Sequence, residues 1–317
     1  MKKAITTIII VVVLVISICI GWGWRDAYNS DATKGIDNPN HGTKYFGSYP
    51  QTKVTDKEII AALGTFDSST WISYGYYVEG EVSDCMYYID KTYNGEKYRG
   101  VYIVSTRPDC ADYATRMYEP QLFNAYFPTS LYWFKYEPIK WDIVKEENGK
   151  AILVADLILD SQPFDYEGYG EYSNNYAEST IRKWLNGTFY NTAFSEAEKE
   201  IILTTSVDNS VASMEHLDNP YFCVDTYDKI FLLSYVEAAT YYTNDNERIK
   251  TGSNYARSQG LLVDTAWWRY NVDSEWWLRS PGSQKGMAES VHYKGTDSGG
   301  FCYDTSWGVV PALQIQI

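Results

Sequence analysis

Positive charge is scarce in this chain, and histidine is scarcer still. The 317 residues include 27 Lys and Arg against 41 Asp and Glu, which gives a formal net charge of −14. Nucleic-acid binding needs clustered cations facing the phosphates, so this balance argues against that class of partner. Only His41, His216 and His292 could activate a thiol, and no Cys-x-x-C pair indicates a zinc site. We therefore expect no metal, no cofactor and no nucleic-acid partner.

A long uncharged run near the start is the clearest feature that the chain does have. Residues 4–24 carry no charge, and twelve of the residues in 4–20 are Ile, Val or Leu. Such side chains favour insertion at the bilayer centre by about 4–6 kcal/mol in total. Trp22 and Trp24 lie where interfacial aromatic side chains are expected. We interpret residues 1–24 as an uncleaved transmembrane signal anchor.

The charges that flank this run predict its orientation. Lys2 and Lys3 precede it and bias the N-terminus towards the cytoplasm. Residues 25–317 are then extracytoplasmic, and the predicted location is the cell membrane with a single pass. Two alternatives stay open: a cleaved signal peptide, or a lipoprotein attached through Cys19, for which Ile18 is a bulky neighbour.

The remainder of the chain divides into a linker and one ectodomain. Residues 25–43 are rich in Asn, Asp, Gly and Thr with almost no apolar spacing, which is typical of a linker. Residues 44–317 are predicted to form an α+β ectodomain that is loop-rich, with short strands and a few short helices. Within it, residues 65–135 are expected to be strand-rich but irregular.

Two short turn sequences predict β-hairpins. Asn94-Gly95 and Asn148-Gly149 each separate two β-rich runs, and Asn-Gly suits the two-residue turns that join antiparallel strands. Residues 44–52 are expected to form the first strand. The nearly continuous apolar run 151–159 predicts a strand that is buried on both faces.

Side chains that can cap backbone N–H groups predict four helix starts. The predicted caps are Thr55 with Glu58, Ser179 or Thr180, Ser195 with Glu198, and Ser234 with Glu237. Gly187 is expected to end the second of these helices.

The stretch "EWWLRSPG" at residues 275–282 combines two tryptophans with one arginine. As a strand it would direct Trp276 and Leu278 to one face, and Trp277 and Arg279 to the other. We expect Arg279 to be a structural staple, by which we mean a buried side chain that holds separate segments together. In this interpretation it is buried against a carboxylate and stacked on Trp277. The alternative is a pocket with an aromatic floor in which Arg279 binds the ligand.

Large flat side chains concentrate near the C-terminus, where we place the candidate ligand-binding residues. They are Trp267, Trp268, Trp277, Arg279, Tyr303 and Trp307. His292 is expected to be a surface or edge residue. Nothing in the sequence identifies catalytic residues.

Four cysteines follow the membrane segment and allow three disulfide pairings. We predict Cys85–Cys110, around the first hairpin, and Cys223–Cys302, between the helical part and the late strands. Free cysteines packed as small core residues are the competing interpretation.

Six motifs occur in an order that resembles an uncharacterised bacterial domain family found in exported and surface proteins. They are GSYPQT (47–52), EPIKWDIV (137–144), STIRKWLN (179–186), DKIFLLS (228–234), WWLRSPG (276–282) and GVVPAL (308–313). The late motifs are in turn similar to the C-type-lectin-like fold, which also underlies formylglycine-generating enzymes. The resemblance implies a scaffold with few regular elements, a loop-rich binding face and paired terminal strands.

Departures from these patterns limit which activities the resemblance implies. Val310 stands where the family's last motif often has arginine, and the copper-binding cysteine pair of formylglycine-generating enzymes has no counterpart. The Glu-Pro-Asn and Trp-Asn-Asp tripeptides of calcium-dependent lectins are also missing. We therefore expect a membrane-anchored extracytoplasmic binding module for a glycan, peptide or envelope partner. The alternatives are an enzyme on a formylglycine-generating-enzyme-like scaffold, or a structural envelope protein.

Overall fold

The computed structural model of the chain describes residues 41–78, 81–104, 126–166, 172–262 and 273–317. For 75–78 and 81–85 it describes the backbone alone. The predicted membrane segment and nearly all of the predicted linker lie outside these ranges. Among the described residues, no helix has the length and apolar character needed to cross a bilayer.

Strands make up most of the regular structure. In chain order they are β1 (Gly42–Lys53), β2 (Ile72–Val78), β3 (Glu81–Tyr93), β4 (Glu96–Ile103), β5 (Ser130–Glu147), β6 (Lys150–Ala155), β7 (Asp160–Ser161), β8 (Thr205–Val207), β9 (Thr226–Asp228), β10 (Ile230–Phe231), β11 (Lys250–Thr251), β12 (Asp273–Ser274), β13 (Trp276–Pro281), β14 (Met287–Val291), β15 (Asp297–Phe301), β16 (Gly308–Val309) and β17 (Ala312–Gln316). An eight-stranded sheet has the order β10-β17-β6-β5-β4-β3-β2, with β1 also paired to β5. A five-stranded sheet has the order β15-β14-β13-β16-β7.

The helices are short, and six of the seven that follow lie between Thr180 and Ser258. They are α1 (Lys57–Leu63), α2 (Thr180–Trp184), α3 (Tyr190–Ala193), α4 (Glu196–Ile201), α5 (Tyr235–Tyr241), α6 (Asp245–Arg248) and α7 (Asn254–Ser258). Short helices with many antiparallel strands confirm the predicted α+β class.

Both predicted hairpins form at their Asn-Gly turns. Asn94 and Gly95 join β3 to β4 with φ of 51° and 81°, and Asn148 and Gly149 join β5 to β6 with φ of 53° and 72°. Positive φ at both central residues is the requirement of the tight turn that Asn-Gly satisfies.

The strands are longer and more regular than predicted. β5 has 18 residues and β3 has 13, and β3 pairs with β2 on one side and β4 on the other. The described part of 65–135 is therefore mostly continuous sheet rather than irregular. The predicted strand 151–159 ends at Ala155, although Leu157, Ile158 and Leu159 are buried as expected.

Three of the predicted helix starts are confirmed. Ser179 caps α2, and Ser195 and Ser234 form complete capping boxes at α4 and α5. The first start is displaced by one residue, because the side chain of Asp56, not Thr55, accepts the first N–H bonds of α1.

Gly187 does not end its helix, contrary to the prediction. A π-helical turn (Leu185–Phe189) carries the chain from α2 into α3, so the glycine lies inside a bulged helix. Leu185 and Phe189 are both fully buried. Their burial gives the turn tertiary support that the sequence around Gly187 does not reveal.

The two sheets share one hydrophobic core. Every residue of β13 is buried, so both of its faces are covered, not only the face of Trp276 and Leu278. β1 pairs with β5, whereas β17 pairs with β10 and β6. The expected pairing of terminal strands therefore does not involve β1.

Candidate functional site

Arg279 is an internal staple, as the sequence predicts. Its side chain is 1% exposed and forms an ion pair with Glu237, the residue that completes the capping box of α5. Nη1 also donates to the carbonyl oxygen of Leu232 at 2.8 Å, and Nη2 donates to that of Asp208 at 3.0 Å. Arg279 therefore connects three separate segments and is not available to a ligand at the surface.

Trp277 is also fully buried, but it does not stack on Arg279 as predicted. Its ring lies parallel to that of Trp307, with centroids 4.6 Å apart and 17° between the planes. Nε1 donates to the carbonyl oxygen of Gln162 at 2.9 Å, and Phe164 meets the ring edge-on at 5.8 Å. Trp277 is thus the inner member of an indole pair, and Trp307 is its half-buried outer member. Trp267 and Trp268 lie outside the described residues.

Small side chains on β14 and β15 make room for the indole pair. Ser290 lies opposite Trp277 in the β13–β14 register and opposite Ser298 in the β14–β15 register. A Cβ atom at Gly300 would come within 2.5 Å of Trp307 Cζ2. The outer indole can occupy its position only because residue 300 is glycine.

Three aromatic side chains pack together, and we call Tyr172, Phe301 and Tyr303 the aromatic patch. Phe301 is 52% exposed and Tyr303 is 37% exposed. Their rings stack with centroids 5.4 Å apart and 15° between the planes. The ring of Tyr172 is 4.4 Å from that of Tyr303. Exposed apolar groups of this kind are typical of interaction sites.

Ionisable side chains lie next to the outer indole. Trp307 Nε1 donates to Asp304 Oδ2 at 3.0 Å, and Asp304 Oδ1 also accepts the backbone N–H of Ser306 at 2.8 Å. Because Trp276 pairs with Val291 and with Gly308, Glu275 has His292 and Trp307 as its two cross-strand neighbours. The distance from His292 Nε2 to Glu275 Oε1 is 3.4 Å.

Burial raises the pKa of Glu275 from 4.5 to about 7, and the charge of Asp304 contributes to the same shift. The side chain of Glu275 is 27% exposed, so it remains accessible from solvent. A carboxyl group that titrates near neutral pH can donate or accept a hydrogen bond according to pH. Glu275, His292, Asp304 and Trp307 together with the aromatic patch form the candidate site.

We expect the unfolding temperature to fall as pH rises from 5 to 8, in part because of Glu275. Its pKa is higher in the folded state than in the unfolded chain, so the folded state binds more protons between pH 4.5 and 7. The stabilisation is complete below the unfolded pKa and is lost as pH rises through about 7. Glu275→Gln should flatten this dependence in thermal unfolding monitored by circular dichroism. An unchanged slope in this variant would contradict the assignment.

Most of this site could not be predicted from the sequence. Tyr303 and Trp307 were predicted from the concentration of aromatic residues, but Glu275, Asp304, Phe301 and Tyr172 were not. His292, expected only as a surface or edge residue, lies immediately after β14. The β13–β14 register could have linked it to Glu275, because residues 275 and 292 become opposite once Trp276 pairs with Val291.

The predicted disulfide between Cys223 and Cys302 is wrong, since both are free thiols in the structure. Cys223 is half-buried near the backbone of Tyr176 and Ala177, whereas Cys302 is fully buried near Asp165. The two thiols therefore have different surroundings. Cys110 and the side chain of Cys85 lie outside the described residues, so the Cys85–Cys110 disulfide stays a prediction.

Two other buried carboxylates, Asp160 and Asp165, accept hydrogen bonds from groups of the protein itself. Asp160 accepts the hydroxyl of Tyr49 at 2.7 Å, and Asp165 accepts the backbone N–H groups of Ser173 and Thr180. Among the described residues, no three His, Cys, Asp or Glu side chains come together as a possible metal site.

Comparison with known proteins gives one match. A family model described as a domain of unknown function (DUF6273) matches residues 148–317. This range contains the whole candidate site and all of the five-stranded sheet. No curated protein and no solved structure matches the chain.

Proposed function

The chain belongs to the DUF6273 family, and we propose that it is a membrane-anchored binding module that faces outward and recognises glycans. The aromatic patch and the adjacent ionisable side chains are the binding surface in this proposal. The observation that carries it is the stacked, exposed pair Phe301–Tyr303, which is followed in the chain by Asp304, the residue bonded to Trp307.

The chemistry of the candidate site favours a neutral ligand rich in hydroxyl groups. Aromatic faces offer flat apolar area against which a sugar ring can pack. Glu275 and Asp304 offer oxygen atoms that accept hydrogen bonds from hydroxyl groups. A formal net charge of −14 disfavours a strongly anionic ligand. A peptide or an envelope protein is the competing class of ligand.

We also propose that residues 148–317 have a C-type-lectin-like fold, in which the first and last strands pair. Within the matched range, β6 is the first strand and β17 is the last, and they pair antiparallel from Ala312 with Val154 to Gln316 with Lys150. This pairing supports the proposal for a lectin-like domain that begins near residue 148.

The membrane anchor is the part of the proposal that depends on the sequence alone. The uncharged run 4–24 and the preceding Lys2 and Lys3 support an outward-facing domain. Protease added to intact cells should therefore digest residues 25–317. Full protection of the domain, or a mature N-terminus after residue 20, would contradict this topology.

A glycan and peptide array is the direct test of ligand class. Wild-type protein should bind a subset of glycans, and Tyr303→Ala should lose that signal. Tyr227→Ala is a matched control, because Tyr227 is 72% exposed on β9 and lies outside the candidate site. Binding of peptides alone would overturn the choice of glycan, and equal binding by the Tyr303 variant would overturn the choice of site.

One observation favours an enzyme as the second candidate function. Glu275 has a pKa raised to about 7 by burial and by Asp304, and a second carboxylate next to a carboxylic acid is the arrangement that glycosidases use. Under this alternative, incubation with the glycans that bind would release shorter sugars, and Glu275→Gln would stop the release without abolishing binding. Intact glycan after incubation with wild-type protein would exclude it for those substrates.

A further inference from the structure

A largely buried ionic cluster contains none of the residues of the candidate site, and we call Lys140, Asp142, Asp156 and Lys250 the Lys250 cluster. Lys250 Nζ is 2.8 Å from Asp142 Oδ2, and the side chains of these two residues are 3% and 4% exposed. Lys140 Nζ is 3.5 Å from Asp156 Oδ2. Asp156 is only 3% exposed.

Sheet register places both carboxylates on one face. Lys140 and Asp142 are two residues apart on β5 and therefore point to the same side. Trp141 pairs with Ala155, so Asp156 follows β6 directly opposite Lys140, and its backbone N–H donates to the carbonyl oxygen of Lys140 at 3.0 Å. Asp156 and Asp142 are thus diagonal neighbours on that face. Lys250, on β11, approaches the pair from outside the sheet.

The surroundings of Lys250 exclude water. Its Nζ lies 5.2 Å from the centre of the Tyr242 ring, and Tyr242 is 2% exposed. An ammonium and a carboxylate held this deeply lose most of their hydration, and their mutual attraction compensates only in part. Conversion of both groups to uncharged forms would relieve this desolvation.

We propose that Lys250 and Asp142 join covalently through an intramolecular amide between Nζ and Cγ. Nζ is 2.8 Å from Oδ2, which puts it within about 4 Å of the carboxyl carbon, so a small shift would bring the two atoms to the near-attack separation of about 3–3.5 Å. The bond would link β11 to β5 across 108 residues of sequence. This proposal is independent of the glycan site.

The reaction is a condensation of the amine with the carboxyl group that releases water. It requires neither an oxidant nor an activating group. A proton passes from the Nζ ammonium to the Asp142 carboxylate, which leaves an amine and a carboxylic acid. Nζ then attacks Cγ, the N–C bond forms, and one C–O bond breaks. The departing oxygen leaves as water with two of the three ammonium protons, and the third remains on the amide nitrogen.

Asp156 is suited to assist these proton transfers. Burial raises the pKa of its carboxyl group, and the neighbouring charge of Asp142 raises it further. The protonated acid could give a proton to the departing oxygen and recover one from the nitrogen. Burial by itself lowers the pKa of Lys250, but Tyr242, Asp142 and Asp156 raise it overall. The amine therefore attacks only after its proton has passed to Asp142.

Mass spectrometry of the full-length wild-type protein tests the proposal. Intact mass should be lower by one water than the mass of the mature sequence. After digestion, one branched peptide should contain both Asp142 and Lys250, with no tryptic cleavage after Lys250. Separate unmodified peptides carrying Asp142 and Lys250 would overturn the proposal.

Three variants identify which residues take part in the reaction. Lys250→Arg should restore the lost water, because a guanidinium does not form this amide. Lys140→Arg is the matched control and should keep the branched peptide, since Lys140 contacts Asp156 and does not supply the reacting nitrogen. Asp156→Asn should leave the two peptides separate, because the amide cannot carry the protons, and a branched peptide in this variant would contradict the role of Asp156. A branched peptide in Lys250→Arg would show that another lysine reacts, and would contradict the assignment.

Discussion

Arg279→Ala is expected to lower the free energy of unfolding by about 3–5 kcal/mol, because it empties a buried site and leaves Glu237 and two backbone carbonyl oxygens without their donor. Arg279 is the more deeply buried partner, with a side chain 1% exposed against 28% for Glu237. The two carbonyl oxygens are those of Leu232 and Asp208. Urea unfolding monitored by tryptophan fluorescence measures the change.

Arg279→Lys tests whether the shape of the guanidinium matters. Arg279 contacts Glu237, Leu232 and Asp208 from a planar group with several N–H donors, and a lysine ammonium cannot reproduce that fork. We expect little rescue of stability. Lys145→Ala is the control, because the Lys145–Glu147 pair is exposed and should contribute less than about 1 kcal/mol. Wild-type stability in Arg279→Ala would contradict the staple interpretation.

Trp277→Ala is the second variant with a large expected effect, a loss of about 3–5 kcal/mol from a fully buried indole. The ring packs between Trp307 and Phe164, and its Nε1 is bonded to Gln162. Trp277→Phe should cost less, because most of the volume is kept. Both changes can be measured by chemical unfolding.

A double-mutant cycle distinguishes the observed partner of Trp277 from the one expected from sequence. Trp277 and Trp307 should show a coupling of about 0.5–1.5 kcal/mol, the usual range for an aromatic pair. Phe substitution of either tryptophan, alone and together, provides the four proteins. A coupling to Arg279 that exceeds the coupling to Trp307 would mean that the stacking is assigned to the wrong side chain.

Features set by a few adjacent residues could be predicted from the sequence. The Asn94-Gly95 and Asn148-Gly149 turns depend only on residues that tolerate positive φ, and both form. The caps at Ser195 and Ser234 likewise depend on one side chain three residues away. The predicted cap of α1, Thr55, is one residue before the observed cap, Asp56. Both side chains can cap a helix, and the local sequence pattern does not distinguish them.

Features set by distant residues could not be predicted in this way. Gly187 continues its helix because Leu185 and Phe189 are buried in the core, which the glycine itself does not indicate. The partner of Trp277 depends on the parallel pairing of β13 with β16 and on the space above Gly300.

The separation of Cys223 from Cys302 and the approach of Glu275 to His292 follow from the same kind of long-range arrangement. Arg279 was predicted correctly as a staple, but its carboxylate partner, Glu237, was not identified.

Phe301 and Tyr303 are proposed to form the binding surface. The most direct test is calorimetric titration with the glycan that binds most strongly on the array. Phe301→Ala and Tyr303→Ala should each weaken binding about tenfold, since one packed aromatic ring contributes roughly 1–1.5 kcal/mol. Tyr227→Ala should bind as wild type does, and all three variants should keep the wild-type unfolding temperature within a few degrees. Equal dissociation constants for wild type, Phe301→Ala and Tyr303→Ala would contradict the claim.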